Sequence, residues 1–142
     1  MAGLQKILLA EDDLYIRDIY NVVLQKAGYT VEQAINGTEA LAKTLSFKPD
    51  VLLLDIMMPD IDGLEVLRQL RSGDKYKKVK PRVIIVTNLA QDETAAEAKK
   101  LGAEGYVVKA DIEPHDLVKM IQTLNSGPPD LANNPTTDKT EP

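Results

Sequence analysis

Acidic residues stand directly after two short apolar runs, where they could hold a metal ion. Glu11, Asp12 and Asp13 follow one run, and Asp55 follows another. A charge that ends a buried run costs several kcal/mol of desolvation unless it is paired, and clustered carboxylates repel one another. Such a cluster needs a cation, and ligands that are all oxygen suit Mg²⁺. Helix capping is the ordinary alternative for the triplet, since acids favour the start of a helix.

A hydroxyl and an ammonium group follow two later apolar runs. Thr87 comes directly after a run that ends at Val86, and Lys109 follows one that ends at Val108. Taken singly, Thr87 is an ordinary β-branched strand residue and Lys109 an ordinary surface lysine. Open parallel sheets, however, bind their ligands at the edge where the carboxyl ends of the strands meet. Together with the acids, these two residues therefore indicate a site for a phosphoryl group.

The apolar runs indicate the strands that would position this site. Three of them are continuous, as in strands buried on both faces, one is shorter, and a more polar one suits an edge of the sheet. We expect the three continuous runs at the centre and the other two at the edges. In chain order the runs are Ile7–Ala10, Thr30–Ala34, Val51–Leu54, Val83–Val86 and Tyr106–Val108.

Between these runs, apolar residues recur at helical spacing. Strand alternating with helix five times is typical of a parallel sheet with helices on both faces, and right-handed crossovers leave few topologies. The prediction is an α/β, doubly wound, flavodoxin-like fold with strand order 2-1-3-4-5. The expected helical faces are Tyr15, Ile19, Val22 and Val23; Ala40, Leu41, Thr44 and Leu45; Leu64, Leu67 and Leu70; Ala95, Ala98 and Leu101; and Leu117, Ile121 and Leu124.

Length and composition indicate one domain without cysteine chemistry. The 142 residues correspond to about one domain. The absence of cysteine excludes thiol catalysis, thiolate zinc sites and disulfides. A net charge of −5 argues against a chain built to coat nucleic acid. No apolar run approaches the roughly 18 residues of a membrane span, and the N-terminus is unlike a secretory signal, so we expect a cytoplasmic protein.

Polar features outside the candidate site have simpler interpretations. Residues 125–142 contain only Leu131 and Ala132 as apolar residues, so 1–124 is the expected domain and 125–142 a disordered tail or severed linker. The basic stretch Lys75–Lys80 lacks a recognition helix and is expected to be a solvated loop. The single histidine, His115, is expected to be an exposed helix residue.

Four segments closely resemble the receiver domains of two-component response regulators. They are Lys6–Asp13, Asp50–Gly63, Val86–Thr87 and Gly102–Lys109, and the resemblance extends over about residues 4–124. It implies a phosphorylation switch of the single-domain, chemotaxis-regulator-like form rather than an enzyme. The phosphoryl donor would be a sensor histidine kinase or a phosphotransfer protein, and the output would be binding to an unknown downstream protein. No direct contact with nucleic acid or with a membrane is implied.

The resemblance also implies a phosphoacceptor and a metal site. Asp55 would be the carboxylate nucleophile that takes the phosphoryl group from a phosphohistidine. Asp12 would bind Mg²⁺, or Mn²⁺, directly, and Glu11 largely through water. Asp55 and the main-chain carbonyl of Met57 would complete the protein ligands. The cation would neutralise charge as the anionic nucleophile approaches the phosphoryl group.

A switch is implied at the same site. Lys109 and Thr87 would bind the phosphoryl oxygens, and the pull on Thr87 would let Tyr106 turn from solvent toward the core. The surface of the fourth helix, fifth strand and fifth helix would then change, although Tyr106 is alternatively a plain edge-strand aromatic. Met57 and Leu89 would flank the approach of water to the phosphorus. Because neither can orient a water molecule, we expect slow hydrolysis of the aspartyl phosphate.

One position departs from the family pattern, and two other functions stay open. In the family the lysine is usually followed by proline, often through a cis bond, whereas Ala110 follows Lys109 here; either the fold enforces a cis bond or the loop is trans. Asp13 matches a variable position and is expected to cap a helix, and Gly63 to permit a tight approach near Asp55. The alternatives are a receiver fragment of a larger hybrid kinase or transcription factor, and an Mg²⁺-dependent phosphatase with an aspartyl nucleophile.

Overall fold

Five strands and five helices alternate over residues 4–125, the part of the chain that the structure, a computed structural model, describes. The strands are β1 (Lys6–Ala10), β2 (Thr30–Ala34), β3 (Val51–Leu54), β4 (Arg82–Thr87) and β5 (Gly105–Val108). The helices are α1 (Leu14–Lys26), α2 (Gly37–Phe47), α3 (Gly63–Ser72), α4 (Asp92–Lys100) and α5 (Pro114–Asn125). Short 3₁₀ turns cover Asp74–Tyr76 and Lys109–Asp111.

The strands form one parallel sheet in the order β2-β1-β3-β4-β5, which confirms the fold predicted from the sequence. The continuous apolar runs make the centre: every residue of β3 is buried, and β3 pairs with β1 on one side and β4 on the other. β2 and β5 are the edges. The more polar β2 alternates between exposed and partly buried residues before it ends at the buried Ala34, as suits an edge strand.

Two apolar layers cover the faces of the sheet. Successive strand residues point to opposite faces, so Leu8 and Leu52 pack with residues of α2, α3 and α4, whereas Ile7 and Leu53 pack with residues of α1 and α5. Each fully buried leucine or isoleucine contributes about 1.5–3 kcal/mol relative to an exposed one. The carboxyl ends of the strands are therefore held by a packed core on both sides.

Short polar side chains begin three of the helices. Asp13 accepts a hydrogen bond from the Ile16 amide before α1, and Asn36 and Asp62 cap α2 and α3 in the same way. Each satisfies a backbone N–H that would otherwise lack a partner, and loss of such a cap costs about 1 kcal/mol. The predicted capping role of Asp13 is confirmed.

The face of α1 predicted from helical spacing is wrong. Tyr15, Ile19 and Val22 are 80%, 49% and 49% exposed, and the helix instead buries Tyr20 and Leu24 against the sheet. The physical reason is that α1 carries two apolar stripes, both with helical spacing. Periodicity cannot tell which of them packs on the sheet.

Gly63 lies where the loop after β3 passes close to the phosphoacceptor candidate. A Cβ atom at this position would lie 2.2 Å from the main-chain oxygen of Asp55, much closer than any allowed contact. The Gly63 N–H also donates to the carbonyl of Ile56 at 2.9 Å. The predicted need for glycine at this tight approach is confirmed.

The predicted tail, residues 125–142, lies outside the described residues except for Asn125, which ends α5. Among residues 4–125, we find no helix with the length and apolar character needed to cross a membrane.

Candidate functional site

The sheet brings the polar residues of the site to one edge. Glu11 and Asp55 follow β1 and β3, and the last residues of these two strands are paired in register. Thr87 is the last residue of β4, and Lys109 follows β5 directly. Because neighbouring strands are parallel, their carboxyl ends lie side by side. Residues that are far apart in the sequence therefore become neighbours.

Three carboxylates form a cluster at this edge. One oxygen atom from each of Glu11, Asp12 and Asp55 lies within 4.8 Å of the others. Glu11 and Asp55 are 2% and 4% exposed, whereas Asp12 is exposed to solvent. Two buried carboxylates beside a third require compensation by positive charge.

Lys109 supplies part of that compensation. Its Nζ atom lies 2.6 Å from Oε1 of Glu11 and 2.8 Å from Oδ2 of Asp55, with only 9% of the side chain exposed. The peptide bond between Lys109 and Ala110 is trans, as are all the others in residues 4–125. The missing proline therefore does not prevent Lys109 from reaching both acids.

The pKa values of Glu11 and Lys109 are both raised, although burial and ion pairing act in opposite directions on each of them. Burial raises the pKa of Glu11, more than the hydrogen bond from Lys109 lowers it. For Lys109, burial alone would lower the pKa, but hydrogen bonds to Asp55 and Glu11 outweigh burial and the pKa is raised. Lys109 is therefore charged at neutral pH, and the charge of Glu11 is costly to bury.

Glu11→Gln should raise the unfolding midpoint of the metal-free protein at neutral pH. Because the pKa of Glu11 is raised on folding, its contribution to stability is fully present below the ordinary glutamate pKa and is lost as pH rises through the raised value. Glutamine imitates the protonated form, so the gain should vanish in acid. Urea unfolding against pH measures this difference. The exposed Glu113→Gln is the matched control, and an equal gain there would contradict the assignment to a buried charge.

The donor atoms at the cluster fit a magnesium site. They are all oxygen, and Mg²⁺ commonly takes one or two carboxylates together with water and phosphate oxygens. Within residues 4–125, the side chain of Asp12 accepts no hydrogen bond; only its main-chain oxygen does, 3.4 Å from Nη1 of Arg17. The carbonyl of Met57 likewise has no donor among the described residues. Both groups are thus available to a cation.

Arg17 supports this loop, and the sequence analysis missed it. Its guanidinium donates to the main-chain oxygen of Glu11 at 2.9 Å and to Oε1 of Gln33 at 3.0 Å. It thereby ties the loop after β1 to the edge strand β2. Spacing within α1 gave no signal for this role, because it depends on a long side chain reaching back across the first turn.

Thr87 and Tyr106, the residues expected to switch, lie on strands β4 and β5, on the side of Asp55 away from Glu11. Thr87 is fully buried, and its hydroxyl accepts a hydrogen bond from the Leu89 amide at 3.3 Å. Tyr106 is half-buried, and its hydroxyl donates to the carbonyl of Leu89. Leu89 packs its own side chain against the core, whereas Met57 is 60% exposed and its N–H donates to Oδ1 of Asp55 at 3.2 Å.

Two residue groups stay outside the site, as predicted. His115 is exposed in the first turn of α5, 3.6 Å from a carboxylate oxygen of Asp116. The lysines of the segment Lys75–Lys80 are exposed, although Tyr76 between them is buried against α3.

Known proteins share this sequence pattern. The family model of the response regulator receiver domain matches residues 7–122. Sporulation initiation phosphotransferase F of Bacillus subtilis is 38% identical over 124 residues, which cover 86% of this chain and 97% of that protein. The transcriptional regulatory protein ResD of Bacillus subtilis is 35% identical over 119 residues, covering 84% of this chain but 47% of that protein. The chain thus spans about half the length of ResD.

A solved structure shares the fold as well. A CheY-like response regulator receiver domain protein from Methanospirillum hungatei superposes with a TM-score of 0.76 at 32% sequence identity. The match covers 87% of this chain and 95% of that one. The family match, the related sequence of similar length and the shared fold show that this chain belongs to the receiver domains of two-component response regulators.

Proposed function

We propose that this chain is a phosphorylation switch in which Asp55 accepts a phosphoryl group with the help of Mg²⁺. The observation that carries the proposal is the contact of Lys109 Nζ with both Glu11 and Asp55 inside a cluster of three carboxylates. A fixed positive charge at that position is suited to stabilising the oxygens of an incoming phosphoryl group. Membership of the receiver family supports the same conclusion.

The proposed transfer takes one phosphoryl group from a phosphohistidine of a sensor histidine kinase or a phosphotransfer protein. A carboxylate oxygen of Asp55 forms a bond to phosphorus as the bond between phosphorus and the imidazole nitrogen breaks. The leaving nitrogen keeps the electron pair and takes a proton from water. Asp55 is held beforehand by the Met57 N–H at one oxygen and by Lys109 at the other. Little further loss of entropy is therefore needed to orient it when the donor arrives.

The acidic cluster would hold the divalent cation. Mg²⁺, or Mn²⁺, when bound supplies neutralisation of the charge that develops on the phosphoryl oxygens. Asp12, Asp55 and the main-chain carbonyl of Met57 are the proposed direct ligands, and Glu11 would act largely through water. The exposure of Asp12 supports this division, as does the carbonyl of Met57, which has no donor among residues 4–125.

Phosphorylation would be transmitted through Thr87 and Tyr106. Within the described part of the chain, the Thr87 hydroxyl has one hydrogen-bond partner, the Leu89 amide that donates to it at 3.3 Å. A phosphoryl oxygen would offer this hydroxyl an acceptor. Movement of Thr87 would pull on the same loop whose Leu89 carbonyl holds the Tyr106 hydroxyl. The surface of α4, β5 and α5 would then present a changed face to a downstream protein.

A beryllofluoride adduct tests the proposed function without a kinase. We expect NMR amide shifts that are largest at the site and along residues 88–109, and no such shifts when EDTA replaces Mg²⁺. A map confined to residues 68–82 would contradict the proposed output surface. The absence of any shift at Asp55 would contradict the phosphoacceptor itself.

The phosphorylated state should decay slowly. The proposal places Met57 and Leu89 beside the path of the attacking water, and neither can hold that water in line. The double variant Met57→Asn, Leu89→Glu should lose its phosphoryl group about tenfold faster, because polar groups can orient the water. Decay of the mass-shifted species over time measures the rate. The conservative variant Met57→Leu is the control and should decay at the wild-type rate. Unchanged decay in the double variant would show that Met57 and Leu89 do not limit the access of water.

The proposal also covers the output of this switch and the kind of protein to which it belongs. The output would be protein binding in the cytoplasm, with no direct contact to nucleic acid. Since ResD is about twice as long as the matched region, the chain could equally serve as the receiver portion of a larger regulator. We do not propose a phosphatase, because the residue two positions after Asp55 is Met57, which cannot protonate a leaving group.

A further inference from the structure

A basic cleft lies at the amino ends of the strands, opposite the carboxyl ends where Asp55 lies. It is formed by the end of α3, the segment 74–82 and the start of β4, and its volume is about 680 Å³. This size falls in the range of small-molecule sites, about 300–1,000 Å³. The cleft shares no residue with the acidic cluster, so it is a separate feature of the molecule.

The charge of the cleft is strongly one-sided. Arg71, Lys77, Lys80 and Arg82 line it, against the single acid Glu104. Glu104 is already engaged, since Oε1 accepts the Val83 N–H at 2.7 Å and an Arg71 nitrogen at 3.1 Å. In a chain whose net charge is −5, this concentration of positive charge stands out.

Arg82 is the residue that most clearly needs a ligand. It is half-buried, yet within residues 4–125 its guanidinium has no hydrogen-bond or ion-pair partner. A guanidinium carries five N–H donors in a planar fork that matches phosphate oxygens. Partly removing such a group from water without a partner is costly, and a bound anion would offset that cost.

The basic surface continues beyond the cleft. A neighbouring depression of about 290 Å³ shares Lys80 and Arg82 with it and adds Lys48 and Lys78. Its one acid, Asp50, accepts the main-chain N–H groups of Gln5 and Lys6, both at 2.8 Å. Arg71 pairs with Glu104 at 3.1 Å and Lys77 with Asp74 at 3.5 Å. The other cations, Lys48, Lys78, Lys80 and Arg82, have no ion-pair partner among residues 4–125, and they line two adjoining depressions.

We propose that this cleft binds a compound bearing two or more phosphate groups, with Arg82 as the fork that grips one phosphate and Lys80 as the charge that faces the next. The shared chemistry is that of a polyphosphate, whether it is free, as in a nucleoside triphosphate, or displayed by anionic lipid headgroups. The site is independent of the phosphoacceptor function.

Tripolyphosphate in metal-free, low-salt buffer is the probe, followed by NMR of the full chain. We expect saturable amide shifts at residues 71–82 and at Glu104. Arg82→Gln and Lys80→Gln should each weaken binding by about tenfold, the effect of losing one charge-assisted hydrogen bond. Lys119→Gln, an exposed lysine of α5, should leave binding unchanged and is the matched control.

Vesicles of phosphatidylglycerol form the second arm and separate the two sources. Binding of tripolyphosphate alone assigns the cleft to a free compound, and binding of both, lost together in Arg82→Gln, assigns it to lipid headgroups. Shifts that never saturate, shifts confined to the surroundings of Lys109, or equal weakening by Lys119→Gln would each overturn the proposal.

Discussion

Asp55→Asn should take up no phosphoryl group from acetyl phosphate and Mg²⁺, whereas the wild-type chain should gain one per molecule. The amide keeps the size of the side chain and one oxygen that can accept from Lys109, but it removes the anionic nucleophile that forms the bond to phosphorus. The loss should therefore be complete rather than partial. Intact mass measured at intervals after mixing reports it directly.

A matched control separates this loss from a general effect of charge. Asp13→Asn makes the same chemical change close to the site, and asparagine caps α1 about as well as aspartate. It should take up the phosphoryl group as the wild type does. Uptake by Asp55→Asn would refute the assignment, provided that its urea unfolding is still cooperative.

Saturating Mg²⁺ should raise the melting temperature by roughly 10 °C, since a ligand at one hundred times its Kd stabilises the native state by about 2.7 kcal/mol. The cation relieves the repulsion among three carboxylates, one oxygen of each lying within 4.8 Å of the others. Asp12→Ala removes the exposed acid, which has no side-chain partner among the described residues, and should abolish most of this increment. Scanning calorimetry with and without EDTA measures it.

Asp13→Ala tests whether the increment belongs to the cluster. It removes the same charge one residue away and also loses the cap of α1, so it should melt lower than the wild type in both buffers. Its Mg²⁺ increment should nevertheless be intact. If Asp12→Ala kept the full increment, or Asp13→Ala lost it, the metal would have to be placed elsewhere.

The arrangement of strands was predictable from the sequence because it depends on short-range composition. β1, β3 and β4 are continuous apolar runs, and a run without polar residues can only be accommodated between two covered faces. Such strands occupy the centre of the sheet, and parallel connections then leave few orders. The placement of Glu11, Asp55, Thr87 and Lys109 followed, since each stands at the end of a run.

The buried faces of individual helices were harder to predict from the sequence. Both stripes of α1 have the spacing of a helix, and the sheet buries the one that contains Tyr20 and Leu24. Arg17 was missed for a related reason, because its contacts with Glu11 and Gln33 join elements that are separate in the sequence. Neither result could follow from spacing alone, since spacing describes one element and packing involves two.

The sequence by itself determined which residues could do chemistry and the sheet that carries them. Buried strands are recognisable as continuous apolar runs, and the polar residues that follow these runs mark the strand ends. Only the tertiary structure decided that the ammonium of Lys109 lies between Glu11 and Asp55 with a trans bond to Ala110. It also decided that the Arg82 guanidinium, at the amino ends of the strands, has no partner among residues 4–125. The physical reason is the length of these side chains. Long charged side chains span several ångströms from the backbone, and where their ends lie depends on the neighbours that packing brings near.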